Sequence, residues 1–268
     1  MHKLLTTLAL AIWATSLSAA ERLPQFKLEP DAVFITGLSS GGMMAVQYHA
    51  AFSSSVKGAA ILAAGPYHCS GDNPNGKMKI ERIMPCVFGY PDAAPSLAKL
   101  RENAAAGLID PVQDMAKSRG YLYRGMDDPF VSASVFNALR DYYRALVPAG
   151  QLRLDDNRPL GHAFITDNPT DAACATGSAP FVFNCNFDQA GDILQWLTGV
   201  PLQPRADKAS GKIITFDQRE FSRTGAGNLS LAEQGYLYVP ARMPPSSAIK
   251  SMVFPAPAST AGPTAIAC

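Results

Sequence analysis

Two apolar runs, Ala32 to Thr36 and Val56 to Ala64, flank a stretch from Gly42 to Phe52 with a helical pattern. Runs of that length without polar alternation suit parallel strands buried on both faces. Gly65-Pro66-Tyr67 ends the second run, and from His68 to Pro95 the composition turns to Gly, Pro, Asn and Asp, a long surface excursion. Ser96 to Ala105 and Pro111 to Ser118 read as helices, with Asp110 as an N-cap before a proline at the first helical position. Gly120 to Gly125 is a third strand. Val131 to Ala145 is amphipathic, with Val135, Leu139 and Tyr142 or Tyr143 on one face. Gln151 to Leu154 is a fourth strand, and Asp188 to Leu197 is a helix with a glycine stop at Gly199.

From Ala32 onward the order is therefore β-α-β, loop and helices, β-α-β, loop, α. That alternation calls for an α/β fold with a parallel sheet flanked by helices. Beyond Pro204 the character changes. Lys212 to Phe216 and Gly235 to Val239 form two strands joined by a polar loop, and residues 241–268 are rich in Pro, Ala and Ser and are expected to lack structure. No internal repeat is present.

Residues 1–20 read as an export signal: Lys3, an apolar stretch from Leu4 to Ala14, and a small-residue exit Ser18-Ala19-Ala20 before Glu21. That stretch is shorter than a transmembrane span needs. The remaining chain suffices for one large domain, placed at residues 21–240, with an extracellular or periplasmic destination. A formal net charge of +1 excludes an electrostatic nucleic-acid binder, and no basic amphipathic stretch points to a membrane surface. There are five cysteines, Cys69, Cys86, Cys174, Cys185 and Cys268. In an exported chain they read as disulfides, and with Cys268 set aside the other four allow three connectivities, of which local pairing is the simplest. The cysteine and histidine spacings do not form a metal-ligand pattern, and no cofactor is implied.

The chemistry is carried by Gly37-Leu38-Ser39-Ser40-Gly41, which sits between the first strand and the first helix. Strand, G-x-S-x-G, helix is the nucleophile elbow of α/β-hydrolases, where a serine is held on a sharp turn with its hydroxyl exposed. A serine nucleophile needs a histidine base, and the base needs a carboxylate, in the chain order Ser, Asp or Glu, His. His49 lies within the helix after the elbow and is expected on its surface. His68 follows the second strand at the same sheet edge but precedes every acid candidate. His162 follows the fourth strand and fits the base. After the third strand, Asp127 and Asp128 are both candidates for the acid. The Ser40 amide, at a helix N-terminus, is a natural oxyanion donor.

Five separated segments carry a further resemblance: "GLSSGGMMAVQYHAAFSSSVKGAAILAAGPYHC", "YLYRGMDDPFV", "GHAFITD", "CNFDQAGDILQWL" and "GKIITFDQREF…QGYLYVP". Together they resemble the secreted poly(3-hydroxybutyrate) depolymerases with a circularly permuted α/β-hydrolase fold, over roughly Pro24 to Pro240. The resemblance implies Ser39 as nucleophile, Asp128 as acid, His162 as base and Ser40 as oxyanion donor. It also implies the disulfides Cys69–Cys86 and Cys174–Cys185. In this family the chain continues past the "YLYVP" strand into a strand ending in a His-Gly-Cys turn that looks like the second oxyanion donor. Here "ARMPPSSAIKSMVFPAPASTAGPTAIAC" stands instead, so a fold incomplete at its C-terminal end is expected.

The function implied is an exported serine esterase that hydrolyses poly(3-hydroxybutyrate) or related short-chain polyesters. Two alternatives stand beside it: an impaired homologue acting at most as a binding module, and a small-ester esterase or lipase on the same scaffold.

Overall fold

The computed structural model describes residues 22–25, 28–71, 80–89, 92–175, 177–206, 208–221, 232–241 and 249–253. The proposed leader at residues 1–20 lies outside them. At the centre is a five-stranded parallel sheet made of β1 (Leu28–Leu38), β2 (Val56–Leu62), β3 (Arg119–Tyr123), β4 (Leu152–Asp155) and β10 (Ile249–Val253), ordered β10-β1-β2-β3-β4. Helices α1 (Ser40–Ala51), α3 (Ala94–Ala105) and α4 (Ala133–Arg144) lie between these strands in sequence, and α5 (Gln189–Thr198) packs on β2 and β3. The near-continuous burial of β2 and β3 is what a parallel sheet covered on both faces demands. One core joins Ile35, Ile61 and Leu122 to Val46, Leu139 and Tyr142. The other joins Phe34, Leu62, Tyr121 and Tyr123 to Ile193 and Leu197.

Several expectations change. The 68–95 excursion contains a helix, α2 (Ile80–Phe88), with Pro85 inside it. Residues 112–117 form a 3-10 helix with Pro111 at the capping position, while the Asp110 carboxylate accepts hydrogen bonds from the Ser54 amide and hydroxyl. Three very short strands, β5 (Phe164–Thr166), β6 (Ala172–Ala173) and β7 (Val182–Asn184), form a separate small parallel sheet. Strands β8 (Lys212–Asp217) and β9 (Gln234–Val239) pair antiparallel. Composition assigned the tail no structure, yet residues 249–253 pair in parallel with β1; the rest of the tail beyond residue 241 lies outside the described residues.

His49 is fully buried rather than on the helix surface. The Ser118 hydroxyl donates to the Met115 carbonyl at 2.8 Å, so it accepts from His49 Nε2–H at 2.8 Å, and Tyr143 OH donates to Nδ1 at 3.2 Å. Each polar group in this pocket is thereby satisfied, as burial requires. This serine–histidine pair has no access to solvent and serves the core.

Two tests follow. Gly42 packs α1 against the ends of two strands. A β-carbon there would lie 2.8 Å from Ala64 Cβ and 2.9 Å from the Gly37 and Leu62 carbonyl oxygens, whereas one at Gly150 would meet nothing within 4 Å. Gly42→Ala is expected to cost about 1–3 kcal/mol and Gly150→Ala less than ~0.5 kcal/mol, measured by urea denaturation. Burial also pushes the His49 pKa down from 6.5 to about 4. Below pH 6.5 the unfolded chain takes up a proton that folded His49 refuses. The stability this site contributes is complete above pH 6.5 and falls by up to ~1.4 kcal/mol per pH unit until about pH 4. His49→Gln cannot titrate, so its stability deficit relative to the parent is expected to narrow across that window.

Candidate active site

Ser39 occupies the junction of β1 and α1 with φ 58° and ψ −121°, a left-handed backbone that is costly for any residue with a side chain. Neighbouring contacts enforce it. The Ser39 amide donates to the Leu62 carbonyl at 2.8 Å, and the Ser39 carbonyl accepts the first helical bond from Met43 at 2.9 Å. A side chain at Gly37 would run into the Gly41 carbonyl, so the strand can turn this tightly only with glycine there. Serine is a favoured helix N-cap, yet this side chain makes no capping bond, which leaves its hydroxyl uncommitted to the helix. Ser40, exposed, begins α1, where backbone N–H groups have no helical partner and the helix dipole favours negative charge.

Of the two candidate aspartates, Asp128 meets His162. His162 Nδ1 lies 2.8 Å from Asp128 Oδ2, with both side chains buried, at 6% and 0% exposure. The other carboxylate oxygen accepts from the Phe130 and Val131 amides at 2.8 and 2.9 Å. With Nδ1–H donated to the carboxylate, a neutral His162 keeps Nε2 as an acceptor, the tautomer a general base requires. Asp127 is exposed, and its backbone amide donates to the Leu160 carbonyl at 3.0 Å.

The pairing follows from the way two loops meet. Past the ends of β3 and β4, Arg124 N–H donates to Asp155 O at 3.2 Å, Met126 N–H to Arg158 O at 2.8 Å and Asp127 N–H to Leu160 O. Gly125 passes so close to the Leu160 and Gly161 carbonyls that a β-carbon would overlap them. Ser39, Asp128 and His162 therefore follow the C-terminal ends of β1, β3 and β4 in one parallel sheet, the edge at which open α/β sheets place their ligands. Leu38, beside Ser39, packs both on the cluster containing Val131 and on the one containing Ala163. His68 follows β2 in a left-handed conformation, its amide donating to Gln47 Oε1 at 3.2 Å, and has no part in the Asp128–His162 pair.

Two aromatic residues escaped the sequence reading. Phe130 and Phe181 stand edge-on to the His162 ring, at 5.2 and 6.0 Å between centroids. Phe181 belongs to the loop closed by Cys174–Cys185, and Gly177 in that loop packs against Pro129 and Phe130. Apolar residues in loops carry no periodicity, so only the fold reveals them. Both bonded cysteine pairs, Cys69–Cys86 and Cys174–Cys185, are those the resemblance implies.

No protein-family model matches the chain. A poly(3-hydroxybutyrate) depolymerase of Delftia acidovorans is 37% identical over 84% of this chain and 44% of its own length. A polyhydroxybutyrate depolymerase of Talaromyces funiculosus is 29% identical over 85% of this chain and 66% of its own. Among solved structures, the PHB depolymerase from Penicillium funiculosum superposes with a TM-score of 0.72 at 28% identity, covering 82% of this chain and 67% of that one. A PHB depolymerase variant complexed with an R3HB trimer matches equally well. The chain thus spans about half of one curated relative and about two thirds of the other. Its parallel sheet flanked by helices is the α/β-hydrolase fold of these enzymes, and the sequence resemblance to them holds.

Proposed function

We propose that this relative of the poly(3-hydroxybutyrate) depolymerases is an exported serine ester hydrolase of short-chain polyhydroxyalkanoates. The single observation that carries the reading is the buried 2.8 Å contact between His162 Nδ1 and Asp128 Oδ2 at the same sheet edge as the strained Ser39 turn. Relatives with depolymerase activity in their names, one solved with an R3HB trimer, support the substrate class. The two disulfides support export, and among the described residues no helix is long and apolar enough to cross a membrane.

In this mechanism His162 Nε2 takes the Ser39 hydroxyl proton as Oγ attacks the ester carbonyl. Asp128 holds the imidazole and stabilises the imidazolium that forms. The tetrahedral oxyanion is met by the Ser40 amide at the head of α1. Collapse expels the alcohol end of the chain, protonated by His162, and leaves an acyl ester on Ser39. Water, deprotonated by the same histidine, then releases the acid. Phe130, 42% exposed beside His162, offers an apolar surface to the methyl-bearing repeat of such a polymer.

Expected outcomes are specific. Ser39→Ala and His162→Ala each lower kcat on p-nitrophenyl butyrate and on poly(3-hydroxybutyrate) film by about 10⁴- to 10⁶-fold, and the double variant loses little more. Asp128→Asn costs on the order of 10⁴-fold, whereas Asp127→Asn stays close to the parent. Kinetics on purified variants with unchanged circular dichroism check this, and a larger loss at Asp127 than at Asp128 would overturn the choice of acid.

A further inference from the structure

The loop that carries Asp128 is irregular backbone, and such backbone keeps one shape only where its polar groups find partners. Three of its carbonyls converge on a single side chain. Arg124 Nε donates to Val131 O at 2.6 Å, Nη2 to Asp128 O at 3.3 Å and Nη1 to Met126 O at 3.4 Å. The amides of the same loop bond elsewhere, Phe130 and Val131 to the Asp128 carboxylate, Met126 and Asp127 to the loop bearing His162. Val131 is consequently fixed at both ends, its N–H by the carboxylate and its C=O by the guanidinium. Arg124 is in turn anchored at its own backbone, where its amide donates to Asp155 at the end of β4.

From this geometry we propose that Arg124 is a positioning residue for the reaction: its guanidinium holds the Asp128 loop in the shape that aims the carboxylate at His162. The inference rests on the Ser39–His162–Asp128 reading above. Three acceptors spread around one side chain match the planar fork of a guanidinium. A lysine presents a compact charge on a flexible stem and cannot span them. The demand is stringent, because a shift of about 1 Å in a reacting group costs on the order of 10²-fold in rate.

The test compares the full-length protein with Arg124→Ala, Arg124→Lys and Asp128→Asn. Active sites are counted by titration with a p-nitrophenyl phosphonate that esterifies Ser39, so that loss of folded protein is not read as loss of rate. Per titrated site, Arg124→Ala is expected to lose about 10²-fold in kcat on p-nitrophenyl butyrate with KM nearly unchanged. Arg124→Lys should recover only part of that. Methylguanidinium added to Arg124→Ala should restore rate saturably and leave the parent unaffected. A second readout needs no turnover: the far-downfield proton resonance of His162 Nδ1–H, expected in the parent, should shift or vanish in Arg124→Ala. Parental kcat per site together with a parental resonance in Arg124→Ala would overturn the proposal and leave Arg124 a loop-stabilising side chain. If Arg124→Ala does not fold, Arg124→Lys decides by the same readouts, parental values overturning the proposal. Parental kcat in Asp128→Asn overturns the triad reading itself, an outcome distinct from failure at Arg124 alone.

Discussion

Where Gly125 passes the Leu160 carbonyl, two loops approach without room for a β-carbon, and the geometry of the site depends on that approach. The β3–β4 ladder, in register from Gly120 with Leu152 to Tyr123 with Asp155, would otherwise end with the strands. Backbone bonds from Arg124, Met126 and Asp127 carry it onward into the loops. Asp128 and His162, 34 residues apart in sequence, arrive side by side because backbone pairing has already set their loops in register. Neither side chain has to find the other by itself.

The loop that accepts these bonds has its own support. Asp155 receives Arg158 Nε at 2.9 Å on both oxygens and the Tyr121 hydroxyl at 3.0 Å on one of them. The Arg158 guanidinium also lies 3.6 Å from the Phe187 ring centroid. Burial, aided by Asp155 and Asp192, holds the Tyr121 phenol well above its ordinary pKa, so it stays a hydrogen-bond donor. A buried carboxylate with this many partners fixes the turn at 155–158, and Arg158 then presents its carbonyl to Met126.

Disulfides extend the same logic to the segments that flank the site. Cys174–Cys185 closes the loop that lays Gly177 on Pro129 and Phe130 and brings Phe181 to His162. Cys69–Cys86 ties α2 to the end of β2, and the Ser132 amide, which donates to the Val87 carbonyl at 2.9 Å, joins that unit to the start of α4. The walls around the Asp128–His162 pair are therefore held by covalent and backbone bonds together with the apolar clusters that contain Ala163, Phe183 and Val131.

Local physics made much of this legible in the sequence. Apolar runs flanking Gly37-Leu38-Ser39-Ser40-Gly41 specify strand, turn and helix, and α5 is bounded as read, by Asp188 accepting from the Gly191 amide and by left-handed Gly199. Strands β5, β6, β7 and β10 lie outside the runs that pattern alone identifies, and their pairing with other strands defines them. Helical pattern alone could not tell that His49 faces inward, because its partners lie 69 and 94 residues away. Residue type alone left Asp127 and Asp128 open, and the family resemblance implied Asp128. The sequence by itself determined the order of strands and helices and the tight serine turn, because propensity, glycine sterics and burial pattern are local. That the Asp128 carboxylate and the Phe181 ring both reach His162 was decided by tertiary structure, because each contact depends on pairing and packing between separate segments of the chain.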